Sequence, residues 1–203
     1  MSFSSRTASE VGPNPVSRAA DARKAALCDL TVTNPTQVGL AYDGEAIIRA
    51  LSDPGLLDYR PSPLGLYVAR AAVAAEYAQL GIAIDPARVM LTASTSEAYA
   101  HLLALLCDPD DEVLVPAPGY PLLADLAKLA GVRLVPYALE LDGAGFALDS
   151  AVIGRALGPR TRAIVVVAPN NPTGTTVSRE DFAILDALGV PIVSDEVFMR
   201  YPL

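Results

Sequence analysis

Short apolar, β-rich runs alternate with helix-length segments along the second half of this sequence, and no other feature narrows the fold as much. Runs at 88–92, 112–116, 132–136, 162–168 and 191–194 read as strands. Between them, segments near 95–107, 120–130, 149–157 and 178–188 carry helical patterns. Strands separated by ten-residue helices form a mostly parallel sheet with helices on both faces, an α/β fold. In such open sheets, polar groups from different segments meet in one crevice at the carboxyl edge.

The 203 residues suit one domain, or one and a fraction. Hydrophobic residues make up 52 % and charged ones 19 %, which describes core-forming material and not a disordered chain. The net charge is −8, and Arg and Lys are scattered singly. No basic stripe exists to bind nucleic acid, and the acidic excess favours solubility. Cys28 and Cys107 lie far apart and read as reduced thiols of a cytoplasmic protein. Residues 1–17 are rich in Ser and Pro and show no secretory pattern. The longest apolar stretch, 98–107, is interrupted by His101 and is half of the roughly twenty residues a membrane span needs. The expectation is a soluble cytoplasmic protein with neither membrane nor nucleic-acid partners.

Residues 1–17 read as an arm, and Ser17 is the expected cap of a short helix through 27. Asn34-Pro35-Thr36 and Gly39 mark a loop over 29–41. A helix over 44–51 stops at Asp53-Pro54-Gly55. Pro61-Ser62-Pro63 then initiates a long helix over 64–80, ended by Gly81.

Four motifs follow strands. Ser94-Thr95-Ser96-Glu97 opens a helix, and either caps it in the ordinary way or offers hydroxyls and free amides to a phosphate. Pro118-Gly119-Tyr120-Pro121 places a tyrosine that packs at a helix start or stacks on a flat ring. Asn170-Asn171-Pro172-Thr173-Gly174 is a turn in which Asn171 can also aim its amide at a phenolic oxygen. Asp195 ends an apolar strand, where a carboxylate is costly without a cationic partner, and a protonated pyridine nitrogen is such a partner. Asp108-Pro109-Asp110-Asp111-Glu112 lacks the spacing of a calcium loop and reads as a helix–strand turn, so no metal is expected. His101, one turn beyond Glu97, reads as a solvated or core-edge histidine.

In this order and spacing the motifs resemble those of the fold-type I, class I/II pyridoxal-5′-phosphate (PLP) aminotransferases. The likeness runs from 29–36, through Tyr59-Arg60-Pro61-Ser62-Pro63-Leu64-Gly65, to Ser194-Asp195-Glu196-Val197-Phe198. It implies a three-layer α/β/α large domain, here incomplete and preceded by an N-terminal arm. The implied divisions are 1–28 as arm and short helix, 29–62 as interdomain or substrate loop with a short helix, and 63–203 as a partial cofactor domain. By the resemblance, Ser94, Thr95 and Ser96 grip the cofactor phosphate and Tyr120 lies over the ring. Asn171 bonds the ring hydroxyl, and Asp195 pairs with the ring nitrogen. Tyr59 reaches the phosphate of a neighbouring subunit in a homodimer, and Asn34 lies near the substrate, an amino acid or 2-oxo acid.

Two positions depart from the family. Phe198 stands where a tyrosine is common. The lysine that holds the cofactor covalently, and the arginines that bind substrate carboxylates, match no residue of this sequence. The lysines present, Lys24 and Lys128, lie elsewhere. No catalytic residue is therefore assigned. The family's strand order, 3-2-4-5-6-7-1, leaves the strand at 88–92 without a neighbour and the strand at 191–194 as an open edge. A chain so built is expected to be poorly stable alone and to need a complementary C-terminal fragment or a continued reading frame. Alternatives are a non-catalytic PLP-binding fragment or partner subunit, and another enzyme with the same cofactor cup, such as a carbon–sulfur lyase. A plain nucleotide-binding domain lacks its phosphate loops here.

Overall fold

The computed structural model describes residues 4, 6, 7, 12–23, 34, 36–142 and 145–200. The chain divides into two compact units: Glu10–Leu91, and Thr92–Leu203 together with Met1–Ser9. Cys28 and Lys24 lie outside the described residues.

The first unit holds α1 (Pro15–Asp21), α2 (Gly44–Leu51), a 3₁₀ turn at Pro54–Leu57, α3 (Tyr67–Gln79) and a second 3₁₀ turn at Pro86–Arg88. Asn14, not Ser17, caps α1; its Oδ1 accepts from the Ser17 amide at 2.8 Å. Asn before Pro supplies both an acceptor and a pre-set φ for the first helical residue, and that pairing outcompetes a serine inside the helix. The helix expected from residue 64 begins only at Tyr67. Gly65, at φ +88°, turns the chain first, and a Cβ there would sit 2.8 Å from Leu91. Arg70 fastens this corner, donating to the carbonyls of Gly65 at 3.1 Å and Pro86 at 2.8 Å.

The strand expected at 88–92 does not form. Residues 86–88 make a 3₁₀ turn, and the Leu91 amide bonds the Leu64 carbonyl at 3.0 Å instead of a ladder. An apolar run becomes a strand only beside another strand, and among the described residues none lies alongside it.

The second unit holds α4 (Thr95–Leu106), β1 (Glu112–Ala117), α5 (Leu122–Ala130), β2 (Arg133–Asp142), β3 (Gly145–Leu148), α6 (Ser150–Ala156), β4 (Thr161–Val167), α7 (Arg179–Ala187) and β5 (Ile192–Asp195). The sheet order is β3-β2-β1-β4-β5, parallel except for the β2–β3 pair. The expected block of four parallel strands is present in the expected order. The antiparallel β3 was not foreseen. Among the described residues β5 pairs only with β4 and forms an edge.

Alternation along the strands divides the core between the two faces of the sheet. Val113, Val115, Ala163, Val165 and Val167 pack with Tyr99 and Leu103 of α4 and Leu123 and Ala127 of α5. Leu114, Ile164, Val166, Tyr137 and Leu139 pack with Ile153 of α6 and Leu185 of α7. Each of the buried Val, Leu and Ile side chains contributes about 1.5–3 kcal/mol through burial. The three layers follow directly: helices, sheet, helices.

Ionic struts sit at the amino end of the strands. Asp111 accepts from Arg162 Nε at 2.8 Å and from the Asp108 amide at 2.9 Å, and the Arg162 bond holds its carboxyl below the usual range. Glu112 and Arg133 approach to 3.0 Å. Residues 108–111 are thus a helix–strand turn closed by an ion pair. His101 is exposed, with Nε2 3.9 Å from Glu97.

Candidate functional site

Strand order reverses at β1, because β2 lies on one side of it and β4 on the other. Such a switch point opens a crevice at the carboxyl ends of the strands, and the loops after β1 and β4 border it.

The loop after β1 is Pro118-Gly119-Tyr120-Pro121. A Cβ on Gly119 would run into the carbonyl oxygen of Pro116, so only glycine fits this path. Tyr120 follows and is 36 % exposed, a ring left open at the crevice rim. The turn after β4 is Asn170-Asn171-Pro172-Thr173-Gly174. It is closed by the Gly174 amide on the Asn170 carbonyl and the Asn170 amide on the Thr175 carbonyl, both at 2.8 Å. Asn170, 4 % exposed, donates from Nδ2 to the Pro118 carbonyl at 3.1 Å and to Thr173 Oγ1 at 2.8 Å. Its Oδ1 is buried and has no partner among the described residues. Asn171 is half-buried beside it.

Asp195 ends β5 in register with Val167, and its carbonyl accepts the Ala168 amide at 3.0 Å. Among the described residues the carboxylate accepts from two donors. Tyr99 of α4 gives its hydroxyl proton to Oδ2 at 2.9 Å, and the Val197 amide reaches Oδ1 at 3.2 Å. Desolvation, followed by the Asp195 charge, raises the Tyr99 pKa, so the phenol stays protonated.

The start of α4 completes the group. Ser94 Oγ caps the helix by accepting the Glu97 amide at 3.3 Å, while Glu97 accepts the amide of Ala93, the residue before the cap, at 2.6 Å, a variant of the capping box. The exposed Thr95 and half-buried Ser96 keep their hydroxyls at a helix end whose first amides lack helical partners. Contacts join these pieces: α4 to β5 through Tyr99 and Asp195, β5 to β4 through Ala168, and β4 to β1 through Asn170 and Pro118.

Of the residues singled out in the sequence, Ser94, Thr95, Ser96, Tyr120, Asn171 and Asp195 all belong to this unit, on the helix start, loops and strand end just described. Tyr59 and Asn34 belong to the other unit. Tyr59 is 91 % exposed, and Asn34 Oδ1 caps a local turn through Thr36. Lys128 lies in the last turn of α5, which returns to the amino end of the sheet, and donates to the Thr7 carbonyl at 3.1 Å. Sequence reasoning sought a cation for Asp195 and missed Tyr99. The signal was present, because a tyrosine on the buried stripe of a helix needs a partner for its hydroxyl.

A family model described as aminotransferase class I and II matches residues 40–201. The LL-diaminopimelate aminotransferase of Desulforudis audaxviator is 40 % identical over 142 residues, covering 68 % of this chain and 36 % of that protein. The solved N-succinyldiaminopimelate aminotransferase from Mycobacterium tuberculosis superposes with a TM-score of 0.69 at 34 % identity, over 75 % of this chain and 41 % of that one. An aminotransferase from Escherichia coli gives 0.79 at 26 % identity, over 97 % and 51 %. The chain belongs to the class I and II aminotransferase family, whose enzymes are PLP-dependent. It spans about two fifths of the length of the curated relatives it matches.

The residues present fit that cofactor. Among the described residues the half-buried Asp195 carboxylate accepts from a phenol and a backbone amide, neutral donors that do not compete with a ring cation, and the hydroxyl-rich helix start suits a phosphate dianion.

Proposed function

We propose that this chain forms the cofactor-holding part of a PLP-dependent aminotransferase, which moves an amino group between an amino acid and a 2-oxo acid. The observation that carries the reading is the Asp195 carboxylate at the end of β5, held and oriented by hydrogen bonds from the Tyr99 hydroxyl and the Val197 amide. Ser94, Thr95 and Ser96 bind the phosphate through hydroxyls and first-turn amides. Tyr120 covers one face of the ring and excludes water from it. Asn171 donates its amide to the ring hydroxyl, and Asp195 holds the proton on the ring nitrogen. Once bound there, PLP would supply the electron sink that amino-group transfer needs. The exposed Tyr59 is available to the phosphate of a second copy in a homodimer, Asn34 is assigned to the substrate side, and the widely spaced cysteines suit a reducing cytoplasm.

A second reading, binding of PLP without turnover, rests on the placement of Lys128 at the amino end of the sheet. Titration with PLP tests the first. The unmutated chain is expected to bind, and Asp195→Ala to lose roughly tenfold or more in affinity, as when a charged partner is removed. Equal binding by both would falsify the assignment.

A further inference from the structure

The unit built from α4 to β5 contains two buried tyrosines, and they use their hydroxyls differently. Tyr137, on β2, donates to the Val165 carbonyl at 2.8 Å, the ordinary way to satisfy a buried phenol. Tyr99, 5 % exposed, passes over the backbone and ends on the carboxylate of Asp195. Leu103, one turn further along α4, packs into the same core cluster.

A phenol differs from an arginine or lysine at such a place. It supplies one directed hydrogen bond without cancelling the carboxylate's charge, so the charge remains for another partner. With Oδ2 held by Tyr99 and Oδ1 by the Val197 amide, the carboxylate cannot rotate without breaking a bond. The helix that brings Tyr99 is also the one whose first turn carries Thr95 and Ser96. At about 1.5 Å rise per residue, three residues separate Ser96 from Tyr99 by roughly one turn.

We propose that Tyr99 is a positioning residue: it locks the Asp195 carboxylate for a protonated ring nitrogen and makes α4 a rigid link between the phosphate and nitrogen ends of one ligand. This rests on the proposed PLP site. Burial together with the Asp195 charge raises the pKa of the phenol and so favours its protonated, donating form.

The test compares PLP with an analogue whose ring nitrogen is replaced by C–H, each titrated into the full chain. Tyr99→Phe keeps the buried ring and removes only the hydroxyl. It is expected to weaken PLP about tenfold, to leave the carbon analogue unchanged, and to add nothing to the loss caused by Asp195→Asn. Equal weakening of both ligands marks a merely structural role and overturns the proposal. A loss for Asp195→Asn with none for Tyr99→Phe overturns it too, while leaving the PLP site standing. Wild-type binding by both variants removes the site and the proposal together. Should the Phe variant fail to fold, ζ-¹³C-tyrosine NMR of the unmutated chain decides. The Tyr99 resonance is expected to shift with PLP and not with the carbon analogue, and a resonance unmoved by PLP overturns the proposal.

Discussion

Asn170 Nδ2 and the carbonyl oxygen of Pro118 lie 3.1 Å apart and form a bond that spans the point where strand order reverses. It makes the turn after β4 and the loop after β1 one structure. Asn170→Asp replaces a donor by a carboxylate facing a carbonyl and should cost more stability than Asn170→Ala. The alanine variant should itself lose about 1–3 kcal/mol. Urea midpoints of the two variants check the order.

Gly119→Ala forces a methyl group against the Pro116 carbonyl, and the backbone before Tyr120 must move. Such overpacking costs about 1–3 kcal/mol. The expected result is weaker PLP binding with the far-ultraviolet circular dichroism unchanged, followed by cofactor titration.

Asp111 is an acid whose folded pKa is lowered, chiefly by the Arg162 bond. Its contribution to stability is complete above the unfolded value of about 3.9 and is lost as pH falls through the lower folded value. Asp111→Asn should therefore be less stable than the parent at pH 7, and the gap should close in strong acid. Thermal melts across that range read it directly.

Tyr99 and Tyr137 are both raised above ordinary tyrosine, first of all by burial. The stability tied to their protons is complete below the unfolded pKa of about 10, and falls above it as the unfolded chain ionises first. Tyr137→Phe should cost roughly 1 kcal/mol at neutral pH by losing the bond to Val165. It should also flatten the alkaline decline seen by denaturant unfolding and by phenolate absorbance.

Lys128 sits away from the carboxyl edge and is bonded to Thr7. Borohydride treatment of the PLP-loaded chain, followed by peptide mass mapping, should find Lys128 unmodified. A pyridoxyl adduct there would contradict the placement of the site.

The parallel block was legible because runs such as 162–168 are apolar on both faces, a pattern that only a sandwiched strand satisfies. The same criterion misplaced 88–92: its apolarity was real, but a strand needs a neighbour, and the strand order implied by the resemblance had already left this run without one. The β2–β3 hairpin was overlooked although Tyr137, Leu139 and Leu141 alternate and the Asp142-Gly143 pair signals a turn. The site's loops could be read from Pro, Gly and Asn, whose backbone demands are local. The Asp195–Tyr99 pair was half legible: a tyrosine on a buried stripe announced its need for a partner, but which residue 96 positions away would meet it is settled only by the tertiary fold.

The pairs Asp111–Arg162 and Glu112–Arg133 brace one rim of the sheet, while the amides, hydroxyls and carboxylate of the crevice occupy the other. Mechanical support and ligand chemistry are thus assigned to opposite poles, with a full strand length between them. An engineer seeking a hardier scaffold can strengthen the braced pole, keeping the Asp111–Arg162 pair, and leave cofactor preference to be tuned as a separate task.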